Sequence, residues 1–573
     1  MARVADVLVD TLVESGVRQI FGVAGDSLNG VTDSLRGRKE ISWVHVRHEE
    51  SGAFAAGALA QLTGQLTACA GSCGPGNLHL INGLYDAHRS RAPVLAIAAQ
   101  IPTVEIGSDY FQETHPEVIF RGCSRYQGVV TRPEELSPVL GAAIDAAVHD
   151  RGVAVVVLPG DVALQRASGQ PRQPPDRVAA EPTVPGSNAL DEMLRLLNSA
   201  HRVTILAGSG CAGARPELLQ VAAKLQAPIV HTLRAKEILE FDNPFDVGMT
   251  GLIGFSSGYH AMMDAETLLM LGTDFPYRQF YPDEATKIQV DRDPTRIGRR
   301  THVDLGVEGD VASTLRAILP RIDPKSESTH LASSLRHYEK SRESLDELAT
   351  GDPGRAPVHP QFVARVLDRL ASADAIFCCD VGLPTVWAAR YLTMNGRRRL
   401  LGSFWHGTMA NALPQAIGAT FQTPGRQVIS LSGDGGLAML FGELLTLRQL
   451  NTPVKVIVFN NGALGFVRLE QMAAGFLESE VNLTNPDFSE VARSVGILGL
   501  RADKPEQVQP MISELLAHDG PGLLDVVVSK QEVAMPPSLD ASVVKGFGLW
   551  LVKAVLSGRG DSIVDLAHVN LFR

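Results

Sequence analysis

Short apolar runs that end near glycines recur along this chain with helical stretches between them, and the pattern of its first third returns in its last third. Gln19 to Val23, Leu66 to Ala70, Val94 to Ala98 and Val153 to Leu158 read as strands. Their alternation with helices predicts parallel α/β sheets covered on both faces. Phe21 and Phe377, each after a helix and a short loop, lie 356 residues apart. Gly74-Pro-Gly-Asn77 and Gly433-Asp-Gly-Gly436 lie 359 apart, and the strands after Ala92-Pro93 and Thr452-Pro453 lie 360 apart. Such an offset predicts two copies of one fold flanking a different middle unit.

Boundaries follow from composition. A Pro-rich stretch from about Leu164 to Pro185 closes the first unit. A second α/β block opens with Val203-Thr-Ile-Leu-Ala207 and runs to about Leu319. A polar helical stretch from about Leu331 to Leu348 and the turn-rich Gly351 to Pro360 lead into a third block, Gln361 to Val528. The 573 residues thus divide into doubly wound parallel-sheet domains at 1–180, 181–335 and 336–530, with a tail at 531–573.

The net charge of −11, with no long basic run, excludes a nucleic-acid partner. Six cysteines without zinc spacing predict reduced, mostly buried thiols. The N-terminus sets Val4, Val7, Leu8 and Leu12 on one helical face, a core-facing first helix and not a signal peptide. No apolar run reaches the ~18 residues of a membrane span.

The strongest chemical signal is the strand Val428 to Ser432 followed by Gly433-Asp434-Gly435-Gly436, a helix, and the strand Val454 to Phe459 ending in Asn460-Asn461-Gly462. Asp434 and Asn461 are 27 residues apart, one βαβ crossover, so both meet at the ligand edge of a parallel sheet. A carboxylate, an amide oxygen and a backbone carbonyl suit Mg²⁺. The glycines admit a diphosphate, whose charge the following helix N-terminus favours. Many of the 54 glycines cluster in such places, at Gly71 to Gly76, Gly208 to Gly213, Gly251 to Gly254 and Gly433 to Gly436, and are read as cofactor cradles. Arg47-His48-Glu49-Glu50 opens a helix so small and apolar, Ser51 to Ala60, that it belongs in a packed interior. Gly208-Ser-Gly210-Cys-Ala-Gly213 formally satisfies GxGxxG, but no acid follows at the ~20-residue distance of a ribose contact.

GDGG followed by NNG resembles the metal and diphosphate motif of the thiamine diphosphate-dependent pyruvate oxidase and acetolactate synthase family. The resemblance implies a pyrimidine-binding, a middle and a diphosphate-binding domain in that order. It implies Mg²⁺ on Asp434, Asn461 and the carbonyl of Ala463, and a glutamate, Glu49, that bonds the aminopyrimidine of a neighbouring subunit's cofactor. Ala70 to Gly83, Gly107 to Pro116, Asp380 to Trp387 and Phe404 to Asn411 are similar to the quinone-linked pyruvate dehydrogenases of bacteria. By that likeness Phe111 and Gln112 reach the substrate end, and Val381 supports the bent cofactor. His406, Gly407 and Thr408 hold the diphosphate with Asp434, Gly435 and Gly436, and Asn461, Gly462, Ala463, Leu464, Gly465, Phe466 and Val467 continue the cofactor loop. Phe466 and Glu470 line the substrate pocket. FAD falls to Gly208 and Gly210, to Gly251, Leu252, Ile253 and Gly254, and to Asp274, Phe275, Pro276, Tyr277 and Arg278. Arg278 faces the diphosphate, and Asp291 or Asp293 the sugar or adenine. Trp405 and Leu383 depart from the pattern by being larger than expected.

In the tail, a helix from Ser542 to Ser557 sets Val543, Phe547, Trp550, Leu551 and Val555 along one broad face beside Lys545 and Lys553. That face suits a lipid interface, or permanent docking on the protein itself. The tail's ending resembles the lipid-binding tail of the quinone-linked enzymes. The implied activity is oxidative decarboxylation of pyruvate to acetate and CO2, with electrons passing through FAD to a membrane quinone. The protein is then a homotetramer, peripheral on the cytoplasmic face of the bacterial cell membrane, its active sites at subunit interfaces. An acetolactate synthase-type carboligase, an oxygen-dependent oxidase forming acetyl phosphate and a catalytically silent scaffold are the alternatives. Glu49, Asp434 and Asn461 together speak against the last.

Overall fold

A computed structural model describes residues 2–168, 182–326, 328–352, 356–532 and 541–556. Most of the Pro-rich stretch, 169–181, lies outside them. The first helix, Val4–Glu14, buries Val4, Val7, Leu8 and Leu12 as their spacing requires.

Three six-stranded parallel sheets follow one another. The first contains β1 (Gln19–Gly22), β2 (Ser42–His45), β3 (Thr67–Gly71), β4 (Val94–Gln100), β5 (Tyr126–Val129) and β6 (Val153–Pro159). The second contains β7 (Val203–Ala207), β8 (Ile229–His231), β9 (Asp246–Met249), β10 (Thr267–Leu271), β11 (Thr286–Asp291) and β12 (Leu305–Glu308). The third contains β13 (Ile376–Cys379), β14 (Arg399–Gly402), β15 (Val428–Gly433), β16 (Val454–Asn460), β17 (Leu498–Ala502) and β18 (Gly522–Val527). Every residue of β4, β6 and β16 is buried, the mark of strands covered on both faces.

Strand order settles the duplication. The first sheet runs β2-β1-β3-β4-β6-β5 and the third β14-β13-β15-β16-β18-β17, the same order twelve strands later. Phe21 on β1 answers Phe377 on β13, and β4 answers β16. The middle sheet runs β12-β11-β10-β7-β8-β9, which is the 3-2-1-4-5-6 order of dinucleotide-binding folds read from the other edge. The order in which strands are added reverses between the parallel neighbours β7 and β10, so a crevice opens at their carboxyl ends.

The outer domains pack against each other through small residues. The helix Glu49–Thr63 lies on the helices Pro75–Arg89 and Ala412–Ala419. A Cβ on Gly418 would stand 2.1 Å from the Ala55 carbonyl oxygen, so a side chain there would force the two domains apart. Position 336 falls inside the helix Thr329–Leu348, which straps two domains. His330 meets Thr204 of the middle domain at 2.8 Å, and the Leu345 carbonyl accepts a bond from the Tyr391 hydroxyl of the third. All six cysteines are buried and unpaired.

The helix Ala541–Leu556 docks on the helix Gly465–Ala473, burying Trp550 and Ala554 against Met472, with Phe547 half-buried. The expected single apolar face divides here. Leu551 points outward with Leu549, Val552 and Leu556, and Lys553 turns back to donate to the Gly475 carbonyl. The reason is composition: apolar residues surround this helix, so docking one face leaves another exposed. The side chains of Val543 and Val555, and residues 557–573, lie outside the described residues. Among the described residues, no helix is long and apolar enough to cross a membrane.

Candidate active site

Asp434 begins the helix Asp434–Met439 at the carboxyl end of β15 and is nearly fully buried. Its Oδ2 accepts bonds from the Gly462 N–H at 2.8 Å and from Asn485 Nδ2 at 2.6 Å. Burial nevertheless pushes its carboxyl above the ordinary aspartate range, because desolvation outweighs those donors. Asn461 Oδ1 accepts from the Ala463 N–H at 3.0 Å. Asp434, Asn461 and Ala463 line one small cavity of about 70 Å³ with Gly435, Gly436, Leu464, Gly465, Phe466, Val467 and Val381. A buried carboxylate beside an amide oxygen is a hard donor set that fits Mg²⁺. Gly436 has no room for a side chain: a Cβ there would stand 2.4 Å from Asp380 Oδ2. Leu383, the unexpectedly large residue, fills the space over Gly465. Gly462 does not line the cavity, and its part is the bond to Asp434.

A second cleft, of about 880 Å³, joins the middle and third domains. Gly210, Gly251, Leu252, Ile253, Asp274, Phe275, Pro276, Tyr277 and Asp291 line it from the middle domain, and Val381, Trp405, Gly407, Phe466 and Glu470 from the third. The crevice at the β7/β10 switch therefore opens directly onto the cofactor loop. Four expected residues stand apart from it. Gly208 packs against Gly272, where a Cβ would stand 2.4 Å from the carbonyl oxygen, so its role is the meeting of two strand-end loops. Gly254 turns its carbonyl to Arg390. Arg278 is exposed at the start of a short helical turn. Asp293 caps a turn through the Thr295 N–H and pairs with Arg296, so of these two aspartates Asp291 is the one that lines the cleft. Arg91, Arg151, Arg292 and Arg296 also line this cleft. No periodicity marks them, because they come from separate loops of two domains.

Glu49 is the first residue of its helix and is almost fully buried. His79 Nδ1 lies 2.9 Å from its Oε2, and Glu443 of the third domain accepts the Arg47 and His48 N–H groups just before it. Gln112, in the left-handed region at φ 64°, packs on Gly74, while Phe111 is 76% exposed. None of these residues lines either cavity. Within one chain the expected site residues thus form two groups. His406 and Thr408 are held by the helix Pro75–Arg89: Asn82 bonds both. His79, Asn82, Asn485 and Glu443 are the residues that sequence reasoning missed. His79 and Asn82 carried a signal in their three-residue helical spacing, whereas Asn485 and Glu443 carried none.

Three family models match in order: the N-terminal TPP binding domain of thiamine pyrophosphate enzymes over residues 2–118, their central domain over 190–318, and their C-terminal TPP binding domain over 380–526. The chain belongs to the thiamine pyrophosphate enzyme family. A putative thiamine pyrophosphate-containing protein, YdaP, of Bacillus subtilis (strain 168) is 36% identical over 95% of both chains. Pyruvate oxidase of Lactiplantibacillus plantarum is 32% identical over 91% of this chain and 88% of its own. A probable acetolactate synthase large subunit of Methanocaldococcus jannaschii is 31% identical over 93% of both. This is accordingly a thiamine pyrophosphate-dependent enzyme of the pyruvate oxidase/acetolactate synthase family, and the cavity at Asp434 lies in its C-terminal cofactor-binding domain.

Proposed function

We propose that the enzyme oxidatively decarboxylates pyruvate to acetate and CO2 and passes the electrons through FAD to a membrane quinone. Pyruvate, water and quinone give acetate, CO2 and quinol, the quinone taking up two electrons and two protons. The observation that carries this reading is the 880 Å³ cleft, which a middle domain of dinucleotide-binding strand order shares with Val381, Phe466 and Glu470. Electron transfer gives a flavin in this cleft a task, which carboligation does not require even where the flavin is retained. Bound thiamine diphosphate supplies the electron sink for decarboxylation, and FAD the two-electron acceptor. The chain's own residues hold and orient: Asp434, Asn461 and the Ala463 carbonyl hold Mg²⁺, and Gly210, Gly251 and Asp291 receive the flavin nucleotide. Glu49 bonds the aminopyrimidine from a second copy of the chain. That division requires at least two copies with sites at their interface, and the assembly proposed is a homotetramer.

Membrane attachment follows from the acceptor, since a quinone is available in lipid. The outward Leu549, Leu551, Val552 and Leu556 support it. At ~1.5 to 3 kcal/mol for each buried side chain they supply a ceiling of about 6 to 12 kcal/mol for reversible binding at the cytoplasmic face of the bacterial membrane.

The deciding experiment measures pyruvate turnover with a quinone in vesicles and with oxygen alone, assaying acetate, acetyl phosphate and acetolactate. Quinone-dependent acetate formation is expected. Acetolactate as the main product would establish the carboligase reading that the Methanocaldococcus relative represents, and acetyl phosphate with peroxide the oxygen-dependent one.

A further inference from the structure

We propose that Asn82, Tyr85 and Asp86, on one face of the helix Pro75–Arg89, are positioning residues that set how tightly the loop 403–408 of the third domain grips the cofactor diphosphate. The inference rests on the reading of His406, Gly407 and Thr408 as diphosphate ligands. Asn82 makes one hydrogen bond within its own domain and two across the domain boundary. Its Nδ2 donates to Glu50 Oε1 at 2.7 Å and to Thr408 Oγ1 at 3.0 Å, and its Oδ1 faces His406 Nε2 at 2.8 Å. Tyr85 stacks on the His406 ring, centroids 5.5 Å apart and planes 11° from parallel.

One turn on, the buried Asp86 accepts from the Ser403 hydroxyl at 2.8 Å and from Gln415 Nε2 at 3.0 Å. Ser403 in turn closes the loop: its carbonyl accepts the Gly407 N–H at 2.8 Å and its Oγ the Thr408 N–H at 3.3 Å. Beyond these internal bonds and the packing of Phe404 on its own domain's core, the side chains of Ser403, His406 and Thr408 are held by a helix of another domain. Asn82 also bonds Glu50, the neighbour of Glu49, so the same helix contacts the carboxylate segment that serves a neighbouring copy's cofactor and the loop that serves its own. A merely structural helix face needs neither the matched donors of Asn82 nor a desolvated carboxylate at Asp86, where burial is the main cause of a carboxyl pushed up to about 6.

The test is a thiamine diphosphate binding isotherm, at saturating Mg²⁺, followed by quenching of tryptophan fluorescence in the full-length flavin-loaded protein, alongside its melting temperature. Asn82→Ala is expected to weaken binding about tenfold, the loss of two or three hydrogen bonds. Asn82→Asp, which sets a carboxylate against Glu50, weakens it further. Asp86→Asn, which keeps an acceptor for Ser403, weakens it less than Asn82→Ala. Flavin content stays at the wild-type value, the melting temperature reports the stability each substitution costs, and saturating cofactor restores kcat, so the defect in turnover sits in cofactor affinity. Isotherms of all three variants that superpose on the wild type would overturn the inference alone. Normal cofactor binding by a variant lacking the His406 and Thr408 side chains would overturn the diphosphate reading of the loop, and the inference with it.

Discussion

Glu49 Oε2 lies 2.9 Å from Nδ1 of His79, so the one nearly buried carboxylate of the Arg-His-Glu-Glu segment is oriented by a helix that starts 26 residues later. A carboxylate fixed in a desolvated setting can share a proton with an aminopyrimidine, whereas a glutamine of the same shape cannot take up a proton. Glu49→Gln therefore keeps the fold and the flavin and lowers pyruvate turnover by about 10² to 10⁴. Steady-state rates at saturating cofactor check this, and a near-normal rate would remove Glu49 from the chemistry.

The metal binding proposed for Asp434 depends on pH in a determined direction. Burial raises its carboxyl pKa, and a cation binds only the ionised form, so Mg²⁺ affinity falls as pH drops through that raised value. Asn485 donates to the same oxygen without being a metal ligand. Asn485→Ala weakens Mg²⁺-dependent cofactor binding by about 10- to 100-fold. Titration calorimetry at two pH values shows both effects, together with proton release on metal binding at the lower one.

How much was legible in the sequence depended on whether a signal was local. The βαβ spacing of Asp434 and Asn461, the offset between Phe21 and Phe377 and the burial of Val4, Leu8 and Leu12 are periodic or short-range, and the structure reproduces them. Gly208 lets two loops touch beside the cleft, and a glycine with that task looks the same in sequence as one that admits a phosphate. Asn485, Glu443 and the cleft arginines were invisible because their neighbours are set by tertiary packing. Which side of the all-round apolar tail helix docks was hidden for a related reason: it is decided by Met472, on another element.

Three buried aspartates set a second pH dependence. Burial, the largest cause at each, pushes Asp86 up to about 6 and Asp246 and Asp380 up to about 7. All lie above the ~3.9 of an unfolded aspartate, so the folded chain binds these protons more tightly. The stabilisation is complete below about pH 4 and is lost as pH rises through the folded-state values. His231, beside Asp246 and pushed down to about 4 mainly by burial, acts in the opposite sense, so the difference between variant and wild type isolates the carboxyl. Asp246→Asn is expected to gain stability relative to wild type from pH 5 to pH 8. Urea midpoints at the two values test it, and a pH-independent difference would refute it.

The two faces of the helix Ala541–Leu556 separate docking from lipid binding. Trp550 is buried against Met472, and Trp550→Ala removes a side chain worth about 3 to 5 kcal/mol in a packed site. That exceeds what Phe547 and the Lys553 bond to Gly475 can hold, so the helix releases and becomes a site of limited proteolysis. The outward Leu549, Leu551, Val552 and Leu556 are untouched by the substitution. Vesicle binding, measured by co-sedimentation with anionic liposomes, is therefore retained or strengthened in Trp550→Ala. Removal of the chain from Val543 onward abolishes it while leaving dye-linked pyruvate oxidation. Equal liposome binding by the truncated and full-length proteins would show that the membrane contact lies elsewhere on the molecule.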